Sequence, residues 1–329
     1  MRHSAKGNAY LFMAAIVWGF SLAAQKEGLK YIDPLFFTAI RCLLGGLVMI
    51  PVVCMRMRAI RRENEAMEVG DKDEGGAVNT GKPEIAAVIK CALCCGLLIG
   101  TTILLQQIGL PYTSVGKAGF ITALYIFITP ILGLFMGKKT TRNLWTGVII
   151  GLAGLYLLCL FGGIEAITFG DLMMFIAAFL CAFHIHAIDH FVKKVDPALL
   201  TCSQFIVAGL PGLISAFLMA DITWDALRSA LFPVVYAGVI ACAVGYTFQT
   251  IGQKLTNPNL ACLIMAMETV FTLFSGWIFF GEVLAVHEYI GCGLMFAAIV
   301  VSQLPDDVLS VGMVKTVPEA KENIDMQGK

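Results

Sequence analysis

The sequence predicts an all-α integral membrane fold of ten transmembrane helices, arranged as two inverted five-helix repeats. Three observations carry this prediction. The 329 residues are 58% apolar and only 14% charged, against roughly 25% charged in soluble domains, and the mean hydropathy is +0.81. Apolar runs of a length that suits membrane spans recur along the chain. Paired signatures also return at fixed offsets between its two halves.

Taken in order, the predicted spans are Ala9 to Gln25, Leu35 to Val53, Ile85 to Gly109, Gly116 to Met136, Leu144 to Phe161, Asp171 to Phe191, Ala198 to Met219, Leu231 to Gln253, Leu260 to Phe280 and Tyr289 to Leu304. Arg2 and Lys6 ahead of the first run imitate the start of a signal peptide, but that run belongs to the repeat and is expected to be retained. Gly7-Asn8 returns as Gly170-Asp171 and Asp33-Pro34 as Asp196-Pro197, both 163 positions later. Gln106 to Gly109 (Gln-x-Ile-Gly) returns at Gln249 to Gly252 after 143, and Gly137 and Gly147 return as Gly281 and Gly291 after 144. One charged, Gly-rich insertion at 55–83, read as a mobile cytoplasmic loop, accounts for the change of offset. The repeats are therefore placed at 7–161 and 170–304, with a polar cytoplasmic tail at 305–329.

Five spans per repeat force the second copy to enter the membrane the opposite way round, a plan common in secondary transporters, whose sites lie between the halves near the midplane. With both termini cytoplasmic, most of the 23 basic residues fall on the inner side, as the positive-inside rule requires. The net charge is zero, and no basic patch with interleaved aromatics points to nucleic acid. Of the 11 cysteines most sit inside spans, where a thiol acts as a small apolar group. Cys91, Cys94 and Cys95 lack the further ligands that a metal site needs.

Polar residues at helical spacing mark the candidate site. Trp18, Ser21 and Gln25 form a stripe on the first span. Thr122, Tyr125 and Thr129 form one on the fourth, and Tyr246, Gln249, Thr250 and Gln253 one on the eighth. Thr102, Gln106 and Gln107 lie on the third. On the ninth, Glu268 stands in an apolar run with Thr272 and Ser275, and an ionisable group at that depth is costly unless it faces protein or a wet cavity. Its counterpart in the first half is Leu124. His184 occupies the position equivalent to Ser21, and its reference pKa near 6.5 makes it, with Glu268, a candidate for proton coupling. Arg41 is read as snorkelling from the second span to the outer surface. His186, Asp189 and His190 share a face that admits two readings, an interfacial cluster or ligands of a divalent metal.

The arrangement resembles the EamA family of the drug/metabolite transporter superfamily. The resemblance rests on Trp18-Gly19, Asp33-Pro34 with Arg41, the run Gly116 to Thr122 with Tyr125, and Glu268-Thr269-Val270-Phe271 leading to Gly281-Glu282. Thr269 stands where the family signature has proline. The resemblance implies a carrier and no enzyme, in the plasma (inner) membrane, with no cofactor. Its partners would be the lipid bilayer, a small-molecule substrate that is amino-acid-like, drug-like or otherwise polar, and protons as the coupling ion. Export or exchange by alternating access is the expected activity, with Trp18, Ser21, Gln107, Tyr125, His184, Tyr246 and Gln249 as substrate-binding residues. The rival expectation is an intramembrane metalloenzyme built on His186, Asp189 and His190.

Overall fold

The structure, a computed structural model, describes residues 2–70, 85–113, 115–159, 161, 167–219, 223–280 and 285–304. Among them every regular element is helical. In chain order these are α1 (Arg2–Gly28), α2 (Pro34–Gly70), α3 (Ile85–Gly109), α4 (Val115–Ala123), α5 (Tyr125–Phe135), α6 (Arg142–Cys159), α7 (Phe169–Phe191), α8 (Pro197–Met219), α9 (Trp224–Ser229), α10 (Leu231–Val235), a π-helical stretch (Tyr236–Gly245), α11 (Tyr246–Leu255), α12 (Pro258–Met265), α13 (Glu268–Phe280) and α14 (Val286–Gln303). Among the described residues six stretches are long and apolar enough to cross a membrane: Ala5–Gly28, Pro34–Arg62, Ile85–Tyr112, Phe169–Phe191, Leu231–Leu255 and Pro258–Phe279. Ile121–Phe135, Pro197–Leu213 and Tyr289–Ser302 are shorter apolar helices. The expected fourth span is represented by Ile121–Phe135, which runs through the break between α4 and α5.

The repeated dipeptides have local physical causes. In both Asp-Pro pairs the aspartate caps a helix and the proline opens it, where its missing N–H costs nothing. Asp33 Oδ1 accepts from Leu35 N at 2.8 Å, and Asp196 Oδ1 from Ala198 N at 2.9 Å. The glycines of the Gly-Asn, Gly-Asp and Gln-x-Ile-Gly signatures mark close helix crossings. A Cβ on Gly170 would stand 2.5 Å from the carbonyl oxygen of Gly109, and one on Gly252 would stand 3.0 Å from that of Gly7. Each Gln-x-Ile-Gly helix thus crosses the helix that the other half opens with Gly-Asn or Gly-Asp. Gly170→Leu is expected to destabilise the protein by about 1–3 kcal/mol, the usual cost of overpacking, read as a lower midpoint in thermal unfolding of the purified protein.

Contacts define two ends of the bundle. At one end Asn143 Nδ2 donates to Leu304 O at 2.9 Å, Thr256 Oγ1 to Asn8 Oδ1 at 3.3 Å, and Arg56 pairs with Asp196 at 3.3 Å. At the other end Gly28 lies against Phe37 and Pro233, and Phe161 stacks near His287 with ring centroids 5.0 Å apart. α2 packs along α8, α6 along α14, α3 along α7, and α1 along α11. The largest apolar core joins α1, α5, α6, α7, α12 and α14 through Leu11, Ile126, Leu155, Ile185, Leu263 and Met295.

Two expectations change. The segment expected as a mobile loop from residue 55 continues α2 as far as Gly70, since its Arg, Glu, Ala and Met are strong helix formers; residues 71–84 lie outside the described residues, as does the tail 305–329. Arg41 does not snorkel outward. It is 5% exposed, and its guanidinium lies 5.8 Å from the ring centroid of Phe37 on the preceding turn.

Candidate functional site

A cavity of about 970 Å³ lies between the helices, at the upper end of the range for metabolite sites. Its wall includes Trp18, Ser21, Gln107, Tyr125, His184, Tyr246, Gln249 and Glu268. The polar residues picked out by spacing on five separate spans are therefore neighbours around one space. Thr129, Thr250 and Gln253, from the same stripes, lie outside that wall. The lining extends to Lys26, Lys30, Pro111, Phe161 and His287, so the cavity rises toward the end of the bundle marked by Gly28 and Phe161.

Breaks in two helices shape its middle. At Leu124 the α4 to α5 path tightens into i to i−3 hydrogen bonds, Leu124 N to Ile121 O at 3.2 Å and Phe127 N to Leu124 O at 2.9 Å. The same occurs between α12 and α13, with Met267 N to Ile264 O and Thr269 N to Ala266 O both at 3.1 Å. Tyr125 and Glu268 are the first residues after the two breaks. Discontinuous helices of this kind bring polar chain ends to mid-depth. Thr269 in place of proline does not prevent the break.

The hydroxyls of the ninth-span stripe serve the helices. Thr272 Oγ1 donates to Glu268 O at 2.9 Å, and Ser275 Oγ contacts Thr272 O at 2.7 Å and Gly19 O at 3.3 Å. The Glu268 carboxylate differs, for no described residue hydrogen-bonds to it or forms an ion pair with it. A charge at membrane depth without a partner is costly until a cation or proton reaches it. Trp18 Nε1 donates to Ala241 O in the π-helical stretch at 3.3 Å, and its ring lies 4.7 Å from that of Tyr246. Gly245 permits this approach, since a Cβ there would meet Trp18 Nε1 at 2.7 Å. Tyr246 also meets the edges of Phe205 at 4.8 Å and His184 at 6.3 Å.

His184 is 1% exposed, with Nε2 3.0 Å from Gln204 Oε1. Because that oxygen only accepts, the ring carries its proton on Nε2 in this arrangement. Gln204 and Arg41 are the site residues that stripe reading missed. A lone glutamine or arginine in an apolar span was the available signal.

At the opposite end a charged cluster ties α5 to α7. Gly137, at φ +74°, ends α5 in the left-handed turn that favours glycine and turns Lys138 onto α7. Lys138 Nζ binds Asp189 Oδ2 at 2.7 Å and lies 3.2 Å from His186 Nδ1. His186 Nε2 is 2.9 Å from Thr129 O, so Nε2 donates to that carbonyl and Nδ1 accepts from the lysine. Lys193 approaches the Asp189 carboxylate at 3.4 Å. Gln253 Nε2 adds a bond to Ile185 O at 3.1 Å, and Thr201 meets Thr250 at 3.2 Å. His186 and Asp189 are thus buried in a seal rather than interfacial, whereas His190 is exposed beside Lys194. Among the described residues no three His, Cys, Asp or Glu side chains converge as metal ligands. Cys91 and Cys95 pack against Ile188, Val192 and Leu200. The Lys117 side chain and Glu282 lie outside the described residues.

Comparison with known proteins agrees with the carrier-like architecture. The EamA-like transporter family matches twice, over residues 5–160 and 168–303, and the chain belongs to this family. An uncharacterized transporter of Archaeoglobus fulgidus is 22% identical over 89% of this chain and 84% of its own length. YwfM of Bacillus subtilis, also named an uncharacterized transporter, is 23% identical over 90% of this chain and 94% of its own. A Chlamydia muridarum protein named as an S-adenosylmethionine/S-adenosylhomocysteine transporter is 21% identical over 83% of each chain. A crystal structure with 17% identity superposes with a TM-score of 0.70, covering 93% of this chain and 99% of the other, and shows the shared fold.

Proposed function

We propose that the protein is a secondary carrier that exports or exchanges a small polar or amphipathic metabolite by alternating access. The observation that carries this reading is the cavity itself, polar at mid-depth, open toward one end and sealed at the other by the Lys138, Asp189 and His186 cluster. Ten crossings in two inverted five-span repeats account for the reciprocal packing of α2 on α8, α6 on α14, and each Gln-x-Ile-Gly helix on the opening helix of the other half. With both termini cytoplasmic, the sealed end faces the cytoplasm and the arrangement is outward-facing. Transport then needs no bond chemistry, only a solute whose binding stabilises the inward- and outward-facing states differently. The cargo in the Chlamydia relative's name, a small polar metabolite, is of a size this cavity accommodates.

Purified protein in liposomes provides the test. Thermal-shift screening against metabolites selects ligands, and counterflow then measures their exchange. Saturable counterflow that requires the protein is the expected result. Ligands that bind without any protein-dependent flux would reject the carrier reading.

A further inference from the structure

We propose that Arg41 and Glu268 are the two poles of a binding site for a solute carrying one positive and one negative group, an assignment that rests on the carrier reading above. Both side chains line the same cavity, and they come from helices in different halves of the chain. Arg41 is 95% removed from solvent (5% exposed), and its Nε has no hydrogen-bond partner. Neither it nor Glu268 forms an ion pair with any described residue, and so they do not neutralise one another. Membrane interiors normally hold such charges only when paired or when they mark a substrate path.

The surroundings favour charge separation within the solute. Tyr246 lines the same cavity wall as Arg41 and Glu268. Trp18 packs on its ring, and Tyr125 lies within reach of Glu268. Aromatic faces beside a carboxylate suit an ammonium or sulfonium group, and a guanidinium suits a carboxylate or phosphate. A zwitterion compensates both charges at once. A solute with only a cation leaves Arg41 uncompensated, and one with only an anion leaves Glu268 so. Leaving one of these charges unpaired is expected to weaken binding by roughly tenfold or more. Gln107, with both amide atoms unpartnered at 1% exposure, adds neutral polar capacity beside the same space.

The test uses the full chain in nanodiscs and amino acids of varied side chain, each compared with its methyl ester, which keeps only the cation, and its N-acetyl form, which keeps only the anion. Zwitterions are expected to bind at least tenfold more tightly than either derivative. Arg41→Gln should erase the preference for the zwitterion over the ester, and Glu268→Gln the preference over the N-acetyl form. Equal binding of esters or N-acetyl forms, or unchanged preferences in the variants, would overturn the assignment. A second measurement needs no ligand. Each neutralising variant should raise the thermal midpoint of the protein without added solute, because an uncompensated charge is removed; a fall would identify a structural brace and overturn the proposal. Charge-selective binding without flux would leave the two-pole site standing and reject the carrier. Flux of singly charged solutes that is indifferent to both variants would do the reverse.

Discussion

Lys138→Asp is expected to unlatch the sealed end and to lower counterflow by tenfold or more. The substitution replaces the 2.7 Å pair with Asp189 by two facing carboxylates and removes the donor to His186 Nδ1. Breaking a fully buried pair costs about 3–5 kcal/mol. The Lys138 side chain is 30% exposed, which argues for the lower part of that range or below it. About 1.4 kcal/mol already shifts a two-state equilibrium tenfold. Asp189→Lys should behave similarly, since it would bring a third lysine beside Lys138 and Lys193. The double exchange, Lys138→Asp with Asp189→Lys, restores opposite charges and should recover most of the flux. Cys262 reports on the seal. It is fully buried, with its thiol 2.9 Å from Asn259 O, one turn inside the closed end. In a background where every cysteine but Cys262 is replaced, Lys138→Asp should make Cys262 react with a thiol reagent that leaves the parent unlabelled. Equal labelling of the parent and both single variants would show that the cluster does not hold the end shut.

Glu268→Gln is expected to uncouple transport from the proton gradient, whereas His184→Asn is not. Both residues line the cavity, and sequence reasoning ranks them together. Structure separates them. The imidazole N–H of His184 is engaged by Gln204 inside the core, while the Glu268 carboxylate is free to receive a proton or a cationic solute. Removing a group that exchanges its proton on binding removes the linkage between pH and affinity. Liposome flux under an imposed pH gradient distinguishes the two. Gradient-driven flux that persists in Glu268→Gln and vanishes in His184→Asn would reverse the assignment.

Much of the site was legible because membrane spans punish polar side chains, so each one that remains in an apolar run needs a reason. That logic found Trp18, Gln107, Tyr125, Tyr246 and Glu268 without knowledge of how the spans pack. Stripe reading failed where position along a helix does not determine depth. Distance to the span end points Arg41 outward, yet it lies 5% exposed in the cavity wall, beside Phe37. The histidine pair was ambiguous because its partner, Lys138, comes from another span and reaches it only through the Gly137 turn. The helix breaks were also hidden, for neither Leu124 nor Thr269 carries the proline that would announce one. α2 outran its apolar segment because good helix formers continue a helix once it has been nucleated.

The π-helical stretch from Tyr236 to Gly245 sets the register of one wall of the cavity. Each residue in α geometry turns by about 100° and advances by about 1.5 Å, and wider turns accumulate a different rotation over the same length. Tyr246 and Gln249 follow directly in α11, so their direction depends on how many residues upstream stay in the wider form. A return of one turn to α geometry would swing both side chains around the helix axis without unfolding either flank. It would also move the Ala241 carbonyl that Trp18 holds. The aromatic pair at the centre of the site is in this sense mounted on a screw thread, and the hydrogen bond from Trp18 is its set point.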